Sequence, residues 1–110
     1  MKIELQPFQR QHLKGLAQSL SPVVMIGNNG LTESVMREIA INLDAHELIK
    51  IRVLGDDREA RVALYDKICD ELGAAPVQHI GKLLVLWRPS DKERIILPKN
   101  KKALKLHSAE

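Results

Sequence analysis

The chain has 110 residues, 45% hydrophobic and 28% charged, with a formal net charge of +3. That length and apolar content support one domain around one core. No apolar run nears the roughly 20 residues that span a bilayer, and Met1-Lys2-Ile3-Glu4-Leu5-Gln6 lacks the apolar stretch of an export signal, so the expected location is cytoplasmic with no membrane partner. The lone cysteine, Cys69, excludes an internal disulfide and fits a reducing compartment.

The charge is unevenly placed. Residues 1–88 carry 11 Lys+Arg against 11 Asp+Glu, whereas residues 89–110 carry six (Lys92, Arg94, Lys99, Lys101, Lys102, Lys105) against three. A basic tail on a neutral body points to a polyanionic partner such as nucleic acid, the alternative being a merely solubilising end. The chain therefore divides into a folded domain over residues 1–88 and a basic extension over 89–110. The extension is expected to be mostly flexible, with one short ordered piece at Ile95-Ile96-Leu97.

From Phe8 to Leu20 the apolar positions Leu13, Leu16, Ala17 and Leu20 follow helical spacing, with Pro7 early and Pro22 beyond the end. Arg10 and Lys14 lie one turn apart, off that stripe. Val23-Val24-Met25-Ile26 reads as a short buried strand. The turn Gly27-Asn28-Asn29-Gly30 follows it and leads into a second helix. There Thr32 is the expected N-cap, Glu33 suits the first turn, and Leu31 with Met36 has the spacing of a hydrophobic staple. Val35, Met36, Ile39, Ala40 and Leu43 form its apolar stripe.

Leu48 to Leu54 alternates, with Ile49, Ile51 and Val53 on one side and Lys50 and Arg52 on the other, as in a strand with one face in water. Gly55-Asp56-Asp57 is a turn, and Asp56 with Glu59 has capping-box spacing. A third helix presents Val62, Tyr65, Ile68, Cys69 and Leu72 inward and ends at Gly73. Pro76 to Ile80 and Leu83 to Trp87 make a hairpin closed by Gly81-Lys82. The order is α-β-α-β-α-β-β. An α/β fold is expected, with a mixed four-stranded sheet, helices mainly on one face and the crossover-linked strands as parallel neighbours.

Few residues offer catalytic chemistry. His12, His46, His79 and His107 lack metal-ligand spacing, so no metal is expected. Cys69 falls on an apolar stripe, as an inert core thiol does. The pairs Asp56-Asp57 and Asp70-Glu71 are explained by capping and solvation. No cofactor or small-molecule substrate is implied, and no enzymatic activity is expected. Trp87 shares a face with Leu83 and Val85, consistent with core packing, and the three aromatics, Phe8, Tyr65 and Trp87, do not make a base-stacking platform.

The glycine-bounded turn is the informative exception. Glycine and asparagine accept positive φ readily, so simple turn chemistry would explain it. Its position between a strand and a capped helix start also presents unpaired N–H groups at the positive end of a helix dipole, a receptacle for phosphate. It lacks the third glycine of a dinucleotide fingerprint and the Gly-Lys-Ser/Thr of a P-loop, and resembles the GxxG loop of KH-type RNA binders. Lys50, Arg52, Arg10, Lys14, Lys82 and Arg88 would line a phosphate-tracking surface beside it.

The run Leu20-Ser21-Pro22-Val23-Val24-Met25-Ile26-Gly27-Asn28-Asn29-Gly30-Leu31-Thr32 resembles the signature of the CRM (chloroplast RNA splicing and ribosome maturation) domain family. His46-Glu47-Leu48-Ile49-Lys50 and Ile80-Gly81-Lys82-Leu83-Leu84-Val85-Leu86-Trp87-Arg88 match its second and third blocks, and the length fits its stand-alone bacterial, YhbY-like members. This resemblance implies a fold similar to the C-terminal domain of translation initiation factor three. It also implies RNA binding through the GxxG loop and nearby basic surface, and association with precursors of the large ribosomal subunit. Asn28 and Asn29 depart from the basic residues usual in KH-like loops, so the charge must lie elsewhere. Two rival readings stand beside this one: a protein-interaction module of the translation machinery, and an enzyme that holds a nucleotide phosphate in the loop.

Overall fold

The structure, a computed structural model, describes residues 1–98. Its elements follow in the order α1 (Pro7–Ala17), β1 (Val24–Ile26), α2 (Glu33–His46), β2 (Leu48–Val53), α3 (Arg58–Leu72), β3 (Ala75–Ile80) and β4 (Leu83–Trp87). The four strands form one mixed sheet in the order β1-β2-β4-β3, with β1 parallel to β2 and both pairs that include β4 antiparallel. The expected fold class is therefore the observed one.

One neighbour relation differs from the sequence reading: β3 does not lie beside β2, because β4 inserts between them. The physical reason is the demand for burial. Leu84, Val85, Leu86 and Trp87 are all buried, so β4 needs cover on both faces and paired strands on both edges. In contrast β3 carries Pro76, which cannot donate to a ladder and belongs at an edge. Where Pro76 and Gln78 interrupt the β3–β4 register, the Tyr65 hydroxyl fills the gap, accepting from Val77 N at 2.9 Å and donating to the Val85 carbonyl. Burial pushes the Tyr65 phenol well above its ordinary range.

Two apolar clusters sandwich the sheet. On one face, Ile39 and Leu43 of α2 and Tyr65, Ile68 and Cys69 of α3 pack on Val24, Ile26, Ile49, Ile51, Leu84 and Leu86. On the other, Leu13 and Ala17 of α1 pack with Leu5 on Leu48, Ala75, Val77, Val85 and Trp87. Cys69 is fully buried, and desolvation pushes its thiol up to about 12, as expected of a core thiol.

Local details depart from the sequence reading in instructive ways. β1 is half-buried rather than buried, since it is an edge strand and Val23 and Met25 face solvent. Asp57, not Asp56, caps α3, accepting from Ala60 N at 3.1 Å. On the same helix Arg61 turns inward and Val62 outward, because the buried guanidinium donates to the Gly55 carbonyl at 3.2 Å and closes the turn below it. Leu16 also faces outward, because α1 ends at Ala17 and only Leu13 and Ala17 meet the sheet.

Residues 89–98 form a strap across the end of the sheet. Ile95 and Leu97 pack on the α1-side cluster, and the Pro98 carbonyl accepts from Gln9 Nε2 at 3.3 Å. Residues 89–94 connect this packing to the end of β4. The rest of the extension, with Lys99, Lys101, Lys102 and Lys105, lies outside the described residues, as does His107.

Candidate nucleic-acid interface

The glycine-bounded loop is shaped by its own hydrogen bonds. Gly30 N donates to the Gly27 carbonyl at 3.1 Å, and Thr32 N donates to the Gly30 carbonyl at 3.1 Å. Gly30 sits at φ +68°, which only glycine adopts without strain. Thr32 then caps α2 as expected, its hydroxyl accepting from Val35 N at 3.1 Å, and Leu31 and Met36 pack partly buried on the core. The N–H groups of Asn28, Asn29, Glu33 and Ser34 find no protein acceptor among the described residues. They cluster at the positive end of a 14-residue helix.

Gly27 is a different case. Its φ is not positive, and a Cβ built on it would meet nothing within 4 Å. Among the described residues nothing requires glycine at this position.

Strand register decides which cations stand near this loop. β1 and β2 run parallel into the loop end, and Lys82, in the β3–β4 turn, accepts from Val53 N at 2.8 Å. The loop, the Gly55 turn and Gly81-Lys82 therefore share one end of the sheet. Arg52 is exposed and pairs laterally with Met25, two residues before Gly27. Lys50 lies one side-chain row further back and is half-buried. Lys82 is at the loop end but pairs with Asp56 at 3.1 Å.

Arg10 and Lys14 stand on α1, which packs on the sheet through Leu13 and Ala17. At 100° per residue they fall on the flank away from Gln9, whose Nε2 bonds the strap at Pro98. Both are half-buried, and Arg10 Nη2 donates to the Leu5 carbonyl at 3.4 Å.

Arg88 does not join them. It lies at the opposite end of β4, about 17 Å of strand away from the loop end. Its guanidinium donates to the Leu72 carbonyl at 2.9 Å, the Ala40 carbonyl at 3.1 Å and Asp44 Oδ1 at 2.6 Å. It ties α2 and α3 together and faces inward, so the fold does not bring it together with the loop.

The two sides of the loop differ in charge. Toward α3, a cavity of about 240 Å³ is lined by Gly27, Asn28 and Gly30 together with Asp56, Asp57 and Arg61, the last already bonded to Gly55. That side repels an anion. On the opposite face of the sheet Arg52 stands in register with Met25, two residues before the loop, and Lys50 follows one row behind it.

The sequence reading missed Met25 and Ile80 as surface residues, because an apolar residue in a strand is by default assigned to the core. It also missed Arg61, whose inward turn is invisible beside the apolar Val62. Among the described residues no three His, Cys, Asp or Glu side chains are grouped to hold a metal ion, and no helix is long and apolar enough to cross a membrane.

Fold and site together define a class: small α/β domains that present a glycine-bounded strand–helix loop at one end of a four-stranded mixed sheet. The chain belongs to the CRS1/YhbY (CRM) domain family, whose model matches residues 5–88. It is 54% identical over 91 residues to a Haemophilus influenzae protein named RNA-binding protein, covering 83% of this chain and 92% of that one. It is 31% identical over 91 residues to Bacillus subtilis YqeI, named a probable RNA-binding protein, covering 82% and 95% respectively. The solution structure of a Staphylococcus aureus protein, described as a candidate RNA-binding protein, superposes with a TM-score of 0.75 at 30% identity, covering 86% of this chain and 99% of the other.

Proposed function

We propose that this protein binds ribosomal RNA in precursors of the large ribosomal subunit and assists their assembly in the cytoplasm, as a binding protein without catalytic chemistry. RNA binding is supported by the names of its relatives. The ribosomal target rests on the family resemblance. In this reading the free N–H groups of Asn28, Asn29, Glu33 and Ser34 receive phosphate oxygens. Arg52, Lys50, Arg10 and Lys14 supply attraction from the α1 side, and Lys82 adds a cation at the loop end.

The observation that carries the reading is Gly27. Gly15 shares its lack of a positive φ and of a neighbour to avoid, but of the two only Gly27 stands beside the free N–H groups at the start of α2, where these properties support close approach of a phosphate. Gly27→Ala separates the two explanations. At a compatible backbone angle the change should leave stability unchanged or slightly raised. Affinity for deproteinised large-subunit ribosomal RNA should fall about tenfold to a hundredfold, the worth of one displaced charge-assisted hydrogen bond. Wild-type affinity in a stable Gly27→Ala protein refutes the reading.

A further inference from the structure

The side of the sheet that α1 packs on is covered only in part. Leu48, Val85, Trp87, Ala75 and Val77 are buried under α1 and its neighbours. The row nearest the glycine loop is not. Met25 pairs with Arg52, Arg52 with Leu83, and Leu83 with Ile80, so these four side chains stand abreast on that face. Met25 is 59% exposed and Ile80 49% exposed, with Leu83 half-buried and Arg52 exposed. Three inter-strand spacings give the row a width of about 14 Å.

We propose that this row is a landing surface for unstacked bases of a single-stranded RNA segment, a proposal that rests on the loop's holding that segment's phosphates. Three observations choose this occupant. The row begins two residues before Gly27, so a strand whose backbone lies on the loop has its bases over Met25 and Arg52. Its only charge is a guanidinium, whose flat face stacks on bases while its edge meets phosphate, and Lys50 follows it on the same face of β2. Its area is that of four side chains, far below the roughly 800 Å² per partner of a stable protein interface. Aliphatic side chains beside a guanidinium thus do the work that aromatic platforms do elsewhere, and they favour unpaired segments over duplex.

The test compares two oligomers of equal charge, ten uridine nucleotides and ten abasic ribose phosphates, by fluorescence anisotropy at low salt. Uridines are chosen because they stack least on one another. The wild-type protein should bind the uridine oligomer about tenfold more tightly. Met25→Ser/Ile80→Ser, placed at exposed positions, should lose that preference while keeping its affinity for the abasic oligomer and its salt dependence. Asn28→Asp/Asn29→Asp should weaken both oligomers alike. Equal wild-type affinity for the two overturns the base surface and leaves the phosphate reading standing. Wild-type binding of neither oligomer overturns both. If Met25→Ser/Ile80→Ser keeps the base preference yet loses a co-purifying protein, the row is a protein contact and the proposal fails.

Discussion

Gly27 and Gly30 bracket one loop for different reasons. Gly30 is required by the chain, which turns there through φ +68°, whereas Gly27 is left open toward solvent. Substitution at Gly30 should therefore disturb the fold and substitution at Gly27 only the ligand. Arg88 shows how a cation is withdrawn from a surface. Its guanidinium meets the Leu72 carbonyl at the negative end of α3, where a cation is favoured, and the Ala40 carbonyl and Asp44 carboxylate of α2. Arg88→Ala should cost about 2 kcal/mol of stability, read from the denaturation midpoint. RNA affinity and its salt dependence should stay at the wild-type level where the variant is folded. A drop in affinity without a drop in stability would return Arg88 to the RNA surface.

At the scale of elements, the decisive joint is between α2, β2 and the strap. Glu47 ends α2 at φ 66° and is fully buried. Its carboxylate accepts from the Ser90 hydroxyl, from Ser90 N at 3.2 Å, and from Arg94 N and Ile95 N at 2.9 Å each. Burial alone would raise its pKa, but the bonds from Ser90, Arg94 and Ile95 together outweigh it and hold the carboxyl below its ordinary range. A carboxyl depressed in the folded state contributes stability that is complete above the unfolded pKa. That contribution is lost as pH falls through the lower, folded value. Acid should therefore release the strap first. Trp87, in the cluster that Ile95 and Leu97 close, should report this as a red shift of its emission as pH falls below the ordinary carboxylate range. Glu47→Gln should lower stability by about 2 kcal/mol and remove this step from the titration. An emission curve shared by wild type and Glu47→Gln would rule out the carboxylate as the anchor.

At the scale of the whole molecule, the proposed function divides positioning and attraction between different parts. The loop is uncharged and residues 1–88 are balanced at 11 against 11, so for that function the attraction depends on where cations stand. Each phosphate neutralised on a single strand lowers the slope of log K against log salt by about 0.7. Deleting residues 99–110 removes Lys99, Lys101, Lys102 and Lys105 and should flatten the slope by no more than about 0.7 for each. A remaining negative slope, further reduced by Arg52→Gln, would place the rest of the contact on the folded domain. A slope that vanishes with the tail alone would assign all of it to the extension.

Element order, the capped start of α2, the Gly81-Lys82 hairpin and the inert Cys69 were legible in the sequence. They depend on local spacing, side-chain capping and φ preference, which act within a few residues. The glycine loop was legible as a motif for the same reason. What the tertiary structure alone decided were the relations between distant segments. Among these are β4 between β2 and β3, Arg61 turned in and Val62 out, Glu47 beneath the strap, and Arg88 far from the loop. A one-row shortfall of α1 converts Met25 and Ile80 from expected core into surface. Such outcomes follow from competition for burial and for hydrogen-bond partners across the whole chain, and no local pattern encodes which partner wins.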